Sequence, residues 1–566
     1  MTVHAINASV DPGLIGKVTR LFNQTEADIA TELLQNARRA CATRVVVTTT
    51  QHSHHSATLT IADNGHGIED PTKLLRLGAS GWDKETMRSE DPAGMGVFSL
   101  AGRRVRVTTR GTGSLGWSAV IEGADWTSGR DIEVHGCVRS MGTTFTVEIS
   151  AGRIDDACKA IAASARYYPI EVELNGIVLE RLDFLDGAET IEEFDGLRIG
   201  VFNAPDRYGV FRSSINFHGL TVEHKLPMVK EIASGNIWCT KIDIVDCPEL
   251  QLTLPARKEI VATRFLEYLN RAVEEGIYGA IAKRGQHRLP YEDWCRAKVL
   301  GFDLAPAAEG LTGFVAITAD PALADYRERI IRTGNDLVVV ATMGTADEQS
   351  LSRALAVSNN AMSERLVRAE ARLAGYDWYD RLARVESLRF VIKQGSAIYV
   401  DTLCGDLLNL DNPAVDAIAA ELTVNEHGLE QVYQLNTDML LQTDDNWDLE
   451  GASIAVVRGF ESAICKLTPG ILADYLDAAY FCHSDDRDCD SFDTQLRYWR
   501  SQSIILATSL LQGEEAATVA SIEAAFHENL RWLIPADRVL RLEHGPSGTT
   551  IVLEPLAAAD TAAPSV

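Results

Sequence analysis

The chain is 566 residues long and 46% hydrophobic, enough material for several cores and too much for a single domain. Its 53 Lys and Arg face 80 Asp and Glu, and the resulting formal charge of -27 repels nucleic acid at long range. A protein that coats duplexes is thereby disfavoured, although a local basic groove is compatible with any net charge.

The opening MTVHAINASVDPGLIGKV lacks the basic-then-apolar layout of a signal peptide, and no run reaches the ~18 uncharged apolar residues of a membrane span. A cytoplasmic location off the membrane is expected. The ten cysteines are scattered without a CxxC pair, and Cys482, His483 and Cys489 are too irregularly spaced to argue for zinc, so reduced thiols are expected.

In chain order, residues 26–43 predict a helix with Ile29, Leu33, Ala37 and Ala40 on one face. A strand RVVVTTT follows, then a polar turn with His52, His54 and His55 that reads as a solvated hairpin tip, then a strand ATLTIAD. Four more β-type segments lie between Arg103 and Ile149, so one helix beside a largely antiparallel sheet predicts an α/β sandwich over 1–150. Residues 111–116 fit the GxGxxG dinucleotide fingerprint, but they join two strands where the fingerprint needs a helix, and they read as a turn. A second α+β domain is expected over 151–288, from the helix DDACKAIAASARYY to the helix RFLEYLNRAVEEGIYGAIAK. Residues 289–556 mix helix and strand patterns with room for two subdomains, and the tail 557–566 is expected to be disordered. The fold class is therefore α+β.

Three segments carry chemistry. IADNGHGIED brings Asp63 to the end of a strand, where its carboxylate can accept a hydrogen bond from an exocyclic amino group. Gly65 and Gly67 then allow backbone close to a ligand. In DPAGMGVFSLAGRRVRVTTR, Gly94 and Gly96 precede a helical stretch, and free N–H groups at such a start suit phosphate. Glu32 and Asn36 sit one turn apart beside the apolar stripe, where a carboxylate can orient a water and an amide oxygen can hold Mg2+. Taken singly, each has an ordinary reading as a turn, a loop or a solvated polar face.

Their order changes that. Glu-x-x-x-Asn, Asp-x-Gly-x-Gly, Gly-x-Gly before a helix and Gly142-Thr143 before a strand together resemble the GHKL superfamily of ATPases. That group includes DNA gyrase B, MutL, the ninety-kilodalton heat-shock chaperones, MORC proteins and sensor histidine kinases. TELLQNARRA is similar to its N-box, IADNGHGI to its first glycine motif, AGMGVFSLAGRRVRVTTR to the chaperone version of its second, and MGTTFTVEI to its last. The resemblance implies a Bergerat-type sandwich that binds ATP with Mg2+. Glu32 would be the general base, Asn36 the metal ligand and Asp63 the reader of adenine, with Gly65 and Gly67 lining the nucleotide and Thr143 supporting Asp63. Residues 69–96 would form a lid with Gly94, Met95, Gly96 and Val97 at the phosphates, and Ser80 and Lys84 as further contacts. LQLTLPARKEIVATRF resembles the transducer segment that sends a cation to the γ-phosphate, and Arg257 matches best, with Lys258 next. One departure stands out: many members carry Asp three residues after the N-box asparagine, and here that residue is Arg39.

The resemblance thus implies an ATP-gated homodimeric clamp, chaperone-like on protein clients, with partners bound through the C-terminal half. A DNA-handling ATPase akin to MutL or MORC is the main alternative, and a nucleotide-sensing scaffold without turnover a third. Histidine kinase activity is least expected, because no His-bearing dimerisation helix precedes the N-box.

Overall fold

The computed structural model describes residues 25–74, 96–205, 213–252, 260–315, 331–402, 410–442, 449–481 and 492–555, apart from residues 114, 129, 234, 262, 359, 411, 427, 450–452 and 461–465 within those spans. The fold is α+β, and the chain divides into two compact units, 1–308 and 309–566.

The first unit opens with α1 (Glu26–Arg39). A reciprocal cap starts it: Thr25 Oγ1 accepts the Asp28 N–H at 3.2 Å, and the Asp28 carboxylate accepts the Thr25 N–H at 3.2 Å. Such a cap is worth about 1 kcal/mol, and Arg38 and Arg39 in the last turn suit the negative end of the helix dipole. Strands β1 (Arg44–Gln51), β2 (Ser56–Asp63), β3 (Val105–Arg110), β4 (Trp117–Ile121), β5 (Val134–Gly136) and β6 (Gly142–Ser150) follow. Then come α2 (Ile154–Ala165), β7 (Glu171–Leu174) and β8 (Ile177–Val178). The strands form one sheet in the order β5-β4-β3-β6-β2-β1-β7-β8, antiparallel throughout except where β1 meets β7. The sheet therefore runs past the boundary expected at residue 150, and α2 joins α1 in the helix layer that was expected to hold one helix.

Period-two alternation sends Ala57, Leu59 and Ile61 of β2, Val105 and Val107 of β3, and Phe145, Val147 and Ile149 of β6 into one core with Ile29, Leu33 and Ala37 of α1. The His52–His55 tip is exposed, with a His52 ring nitrogen 3.1 Å from Thr58 Oγ1. Residues 111–116 join the antiparallel β3 and β4, as read from the sequence.

The rest of the first unit holds β9 (Thr190–Phe194), β10 (Leu197–Pro205), β11 (Ser214–Phe217), β12 (Leu220–Glu223), β13 (Val229–Lys230) and β14 (Asn236–Ile244). They are ordered β12-β11-β14-β10-β9, with β13 also on β14. Helices α3 (Phe265–Arg284) and α4 (Tyr291–Val299) share their core through Val273, Ile277, Ala297 and Trp294. Helix α4 lies beyond the boundary expected at 288 and still belongs to this core.

In the second unit, β15 (Leu311–Thr312) pairs with β16 (Ile331–Arg332), and β17 (Val338–Val340), β18 (Leu366–Arg368), β19 (Ala383–Gln394), β20 (Ala397–Thr402), β22 (Ala417–Glu426) and β23 (Leu429–Thr437) form one sheet. Strands β21 (Ala414–Val415), β24 (Met439–Gln442) and β25 (Ser453–Val457) form another. Helix α5 (Thr345–Ser358) contributes to two cores, one centred on the larger sheet and one shared with α6 (Pro469–Tyr480) and α7 (Phe492–Gln512). The tail 557–566 and the Cys482–Cys489 cluster lie outside the described residues. Among the described residues no helix is long and apolar enough to cross a membrane.

Candidate functional site

Three inward-facing rows of the first sheet change character together at one end. The row of β2 ends in Asp63, that of β3 in Thr109 and that of β6 in Thr143, each in register with apolar residues two positions away. A polar cluster thus continues the core face of the sheet. Thr109 and Thr143 are cross-strand partners, both buried, with their hydroxyls 3.0 Å apart. Thr109 Oγ1 also accepts the Ile68 N–H at 2.9 Å, and Trp117 Nε1 donates to the Ile68 carbonyl at 2.8 Å, so the backbone after the glycine motif is held at two points.

Among the described residues the Asp63 carboxylate is bound on one side only. Its Oδ1 accepts the Gly65 N–H at 2.8 Å and the Thr143 N–H at 3.3 Å, while no hydrogen bond among the described residues falls on Oδ2. Burial pushes its pKa up, and the two N–H donors, Arg139 and His66 oppose that rise without cancelling it. The result is an acceptor fixed in orientation through Oδ1, with Oδ2 unbonded among the described residues.

The glycines serve the protein's own backbone. A Cβ on Gly65 would lie 2.5 Å from the Ala40 carbonyl oxygen, and one on Gly67, at φ +73°, would lie 2.1 Å from that of Arg110. Apart from any ligand they would line, both glycines are required by the packing of this loop between the end of α1 and the end of β3. The His66 N–H donates to the Ala40 carbonyl at 2.8 Å, and the Asn64 side chain accepts the Thr43 and Arg44 N–H groups at 2.9 and 3.0 Å. The Asp63 loop and the C-terminal end of α1 therefore form one block.

Helix α1 carries the other expected residues. Glu32 is only 6% exposed, so the solvated-face reading of that position fails. Asn36, half-buried, accepts at Oδ1 from Arg39 Nη1 at 3.4 Å, and its carbonyl accepts the Ala40 N–H at 2.9 Å. Asn36 is therefore one helical turn from the residue against which Gly65 packs. Mg2+ held mainly by phosphate oxygens and water needs few protein ligands, and one amide oxygen is chemically adequate. The Asn36 oxygen keeps a second lone pair beside the long Arg39 contact, so the donor set fits such an ion, with a cation as its neighbour.

Gly96 opens a short 3-10 turn, Gly96–Leu100, with Val97 partly buried against the core. Ser80, Lys84, Gly94, Met95, Arg257 and Lys258 lie outside the described residues. Sequence reading missed Thr109 and Arg139. Thr109 stands in a VTTR run that any strand could contain, and its only signal was a polar residue on an apolar row. Arg139 lies in the loop before β6, with its guanidinium on the Thr108 carbonyl, and carried no pattern at all.

No family model and no curated protein matches this sequence. Among solved structures, one described as the crystal structure of the N-terminal domain of a DNA repair protein aligns with 45% of this chain and 94% of its own, at 14% identity and a TM-score of 0.30. A likeness at that score carries no argument about fold or function.

Proposed function

We propose that this chain is a Mg2+-dependent ATPase of the GHKL type. The observation that carries the reading is the half-bound carboxylate of Asp63, oriented through Oδ1 by Gly65 and Thr143 at the polar end of the sheet. An exocyclic amino group of adenine has the donor that Oδ2 lacks, and a rigid acceptor discriminates well against bases without it. Buried Glu32 on the adjoining helix would take the proton of the attacking water, within a site that shields it from bulk solvent. Asn36 would contribute its amide oxygen to Mg2+, which when bound offsets charge on the phosphates. Gly94, Met95, Gly96 and Val97 would serve the phosphates, with Ser80 and Lys84 nearby and Arg257 or Lys258 as the cation at the γ-phosphate.

The same reading makes the protein an ATP-gated homodimeric clamp in the cytoplasm, chaperone-like on protein clients, with the C-terminal half available to partners. Steady-state hydrolysis and ATP-binding titrations of wild type and Glu32→Ala test it. Turnover by wild type, with binding retained and turnover lost in Glu32→Ala, is the expected result. Binding without turnover in wild type would convert the reading to a nucleotide-sensing scaffold, and no binding would end it.

A further inference from the structure

We propose that Gln35 is a positioning residue that couples α1 to the β11–β12 turn, so that the second sheet of the first unit reads the state of the nucleotide site. The inference rests on the ATPase reading above.

Gln35 follows Glu32 by three residues and precedes Asn36 by one, so its side chain flanks theirs at about 60° and 100° around the helix. It is 5% exposed, and both of its amide hydrogens are spent on one turn. Nε2 donates to the Phe217 carbonyl at 3.2 Å and to the His218 carbonyl at 2.9 Å, while Oε1 accepts from Arg38 Nε at 3.3 Å. A buried amide with every such bond made has one well-defined position, and a small rotation of α1 must move the turn or break the bonds.

The turn is built to hold that geometry. His218 has φ +51° and Gly219 φ +100°, the two left-handed residues of a tight hairpin turn. Asn216, buried in β11, accepts the Gly219 N–H at 2.8 Å and donates to Asp243 at 2.7 Å in β14. The Gln35 contact is therefore tied to the middle of the second sheet. A Cβ on Gly219 would lie 2.9 Å from the Ser164 carbonyl of α2, and the Tyr168 hydroxyl donates to the Leu34 carbonyl of α1. Two further contacts thus fix the turn and α1 to the same α2 end. Ligand contacts at Glu32 and Asn36 would act on α1 beside Gln35, and the turn would receive the displacement through its two bonds to that side chain.

The test combines ATP titration, steady-state turnover and hydrogen exchange of the 214–223 hairpin with and without ATP. The proteins are wild type, Gln35→Glu, Asn216→Ala and the double variant. Gln35→Glu keeps the shape and removes both donors, whereas Asn216→Ala loosens the turn without touching α1. In wild type, ATP is expected to change exchange in the hairpin several-fold. Each single variant should abolish that response and lower kcat about 10-fold, with ATP affinity within about 3-fold. The double variant should be no worse than either single one. If Gln35→Glu does not fold, Gln35→Met, which keeps the length of the side chain and removes both donors without a buried charge, takes its place. An ATP response that persists in the variants, effects on kcat that multiply, or a loss that tracks melting temperature alone would overturn the proposal while leaving the ATPase reading intact. Absence of ATP binding by wild type would overturn both.

Discussion

Two carboxylates, Asp63 in the first unit and Asp438 in the second, are treated in opposite ways. In the first unit Asp63 receives two N–H donors on one oxygen and stands near Arg139 and His66, and among the described residues no hydrogen bond falls on the other oxygen. In the second, Arg353 and Asp438 neutralise each other completely, in a paired contact of 2.8 and 2.6 Å at 1–2% exposure. Asp347 and Asp401, also in the second unit, are pushed up to about 6, chiefly by burial, with the Asp401 charge adding to the rise at Asp347. A carboxylate that is fully paired serves the fold, and one left under-paired at fixed geometry is available to something else.

The largest effect should come from breaking the complete pair. Arg353→Ala leaves the Asp438 carboxylate buried and uncompensated, and should destabilise the second unit by about 3–5 kcal/mol in denaturant titrations of the full chain. Replacing both residues with apolar side chains of similar volume should recover most of that loss. If the single variant costs under about 1 kcal/mol, the pair is not the structural element assigned to it.

Asp63→Asn should act the other way round. Oδ1 keeps its donors, but an NH2 replaces the acceptor at Oδ2, so ATP affinity should fall about 100-fold or more in calorimetric titration. The melting temperature should hold or rise, because burial raises the pKa of this carboxylate and its ionised form costs stability at neutral pH. A parallel collapse of stability would return Asp63 to the class of Asp438.

Asp401→Asn tests the intermediate case. A carboxyl whose folded pKa stands near 6 against an ordinary 3.8 contributes stability below about pH 4 and loses it as the pH rises through 6. The variant should therefore be more stable than wild type by about 3 kcal/mol at pH 7.5, with the difference vanishing toward pH 4. Thermal melts of both proteins across that window read the sign directly.

Much of the first unit was legible because its signals are local. The 3.6-residue stripe of α1 and the alternation of β2 and β6 need no partner to be seen, and they delivered Glu32, Asn36, Asp63 and Thr143 to their observed elements. What stayed hidden was pairing. Nothing in EVEL at 171–174 says that it lies parallel to RVVV at 44–47 and extends the first sheet past residue 150. Thr109 becomes distinctive only once β3 is placed beside β6, and Gln35 only once His218 and its turn arrive from 183 residues away. Glu32 read as solvated because helix periodicity reports one face, whereas burial depends on whatever covers the others.

The smallest expected effect falls on Arg39, where the chain departs from the pattern it resembles. Its guanidinium lies 3.4 Å from the Asn36 amide oxygen, the one protein ligand assigned to Mg2+. A cation near a surface site repels a divalent ion only modestly after screening, so the site should bind Mg2+ more weakly than its ligand geometry permits. Arg39→Asp removes that charge and adds an acceptor, and should lower the Mg2+ concentration for half-maximal turnover about 3- to 10-fold while leaving saturated kcat nearly unchanged. Arg39→Ala should give the smaller part of the same shift. An unchanged Mg2+ dependence in both would mean that Arg39 and the metal do not share the Asn36 oxygen, and an increase in the requirement would mean that the guanidinium itself helps to hold the phosphates. Either outcome sharpens the contrast with Asp438, since it tells whether a cation near this site completes a pair or competes for one.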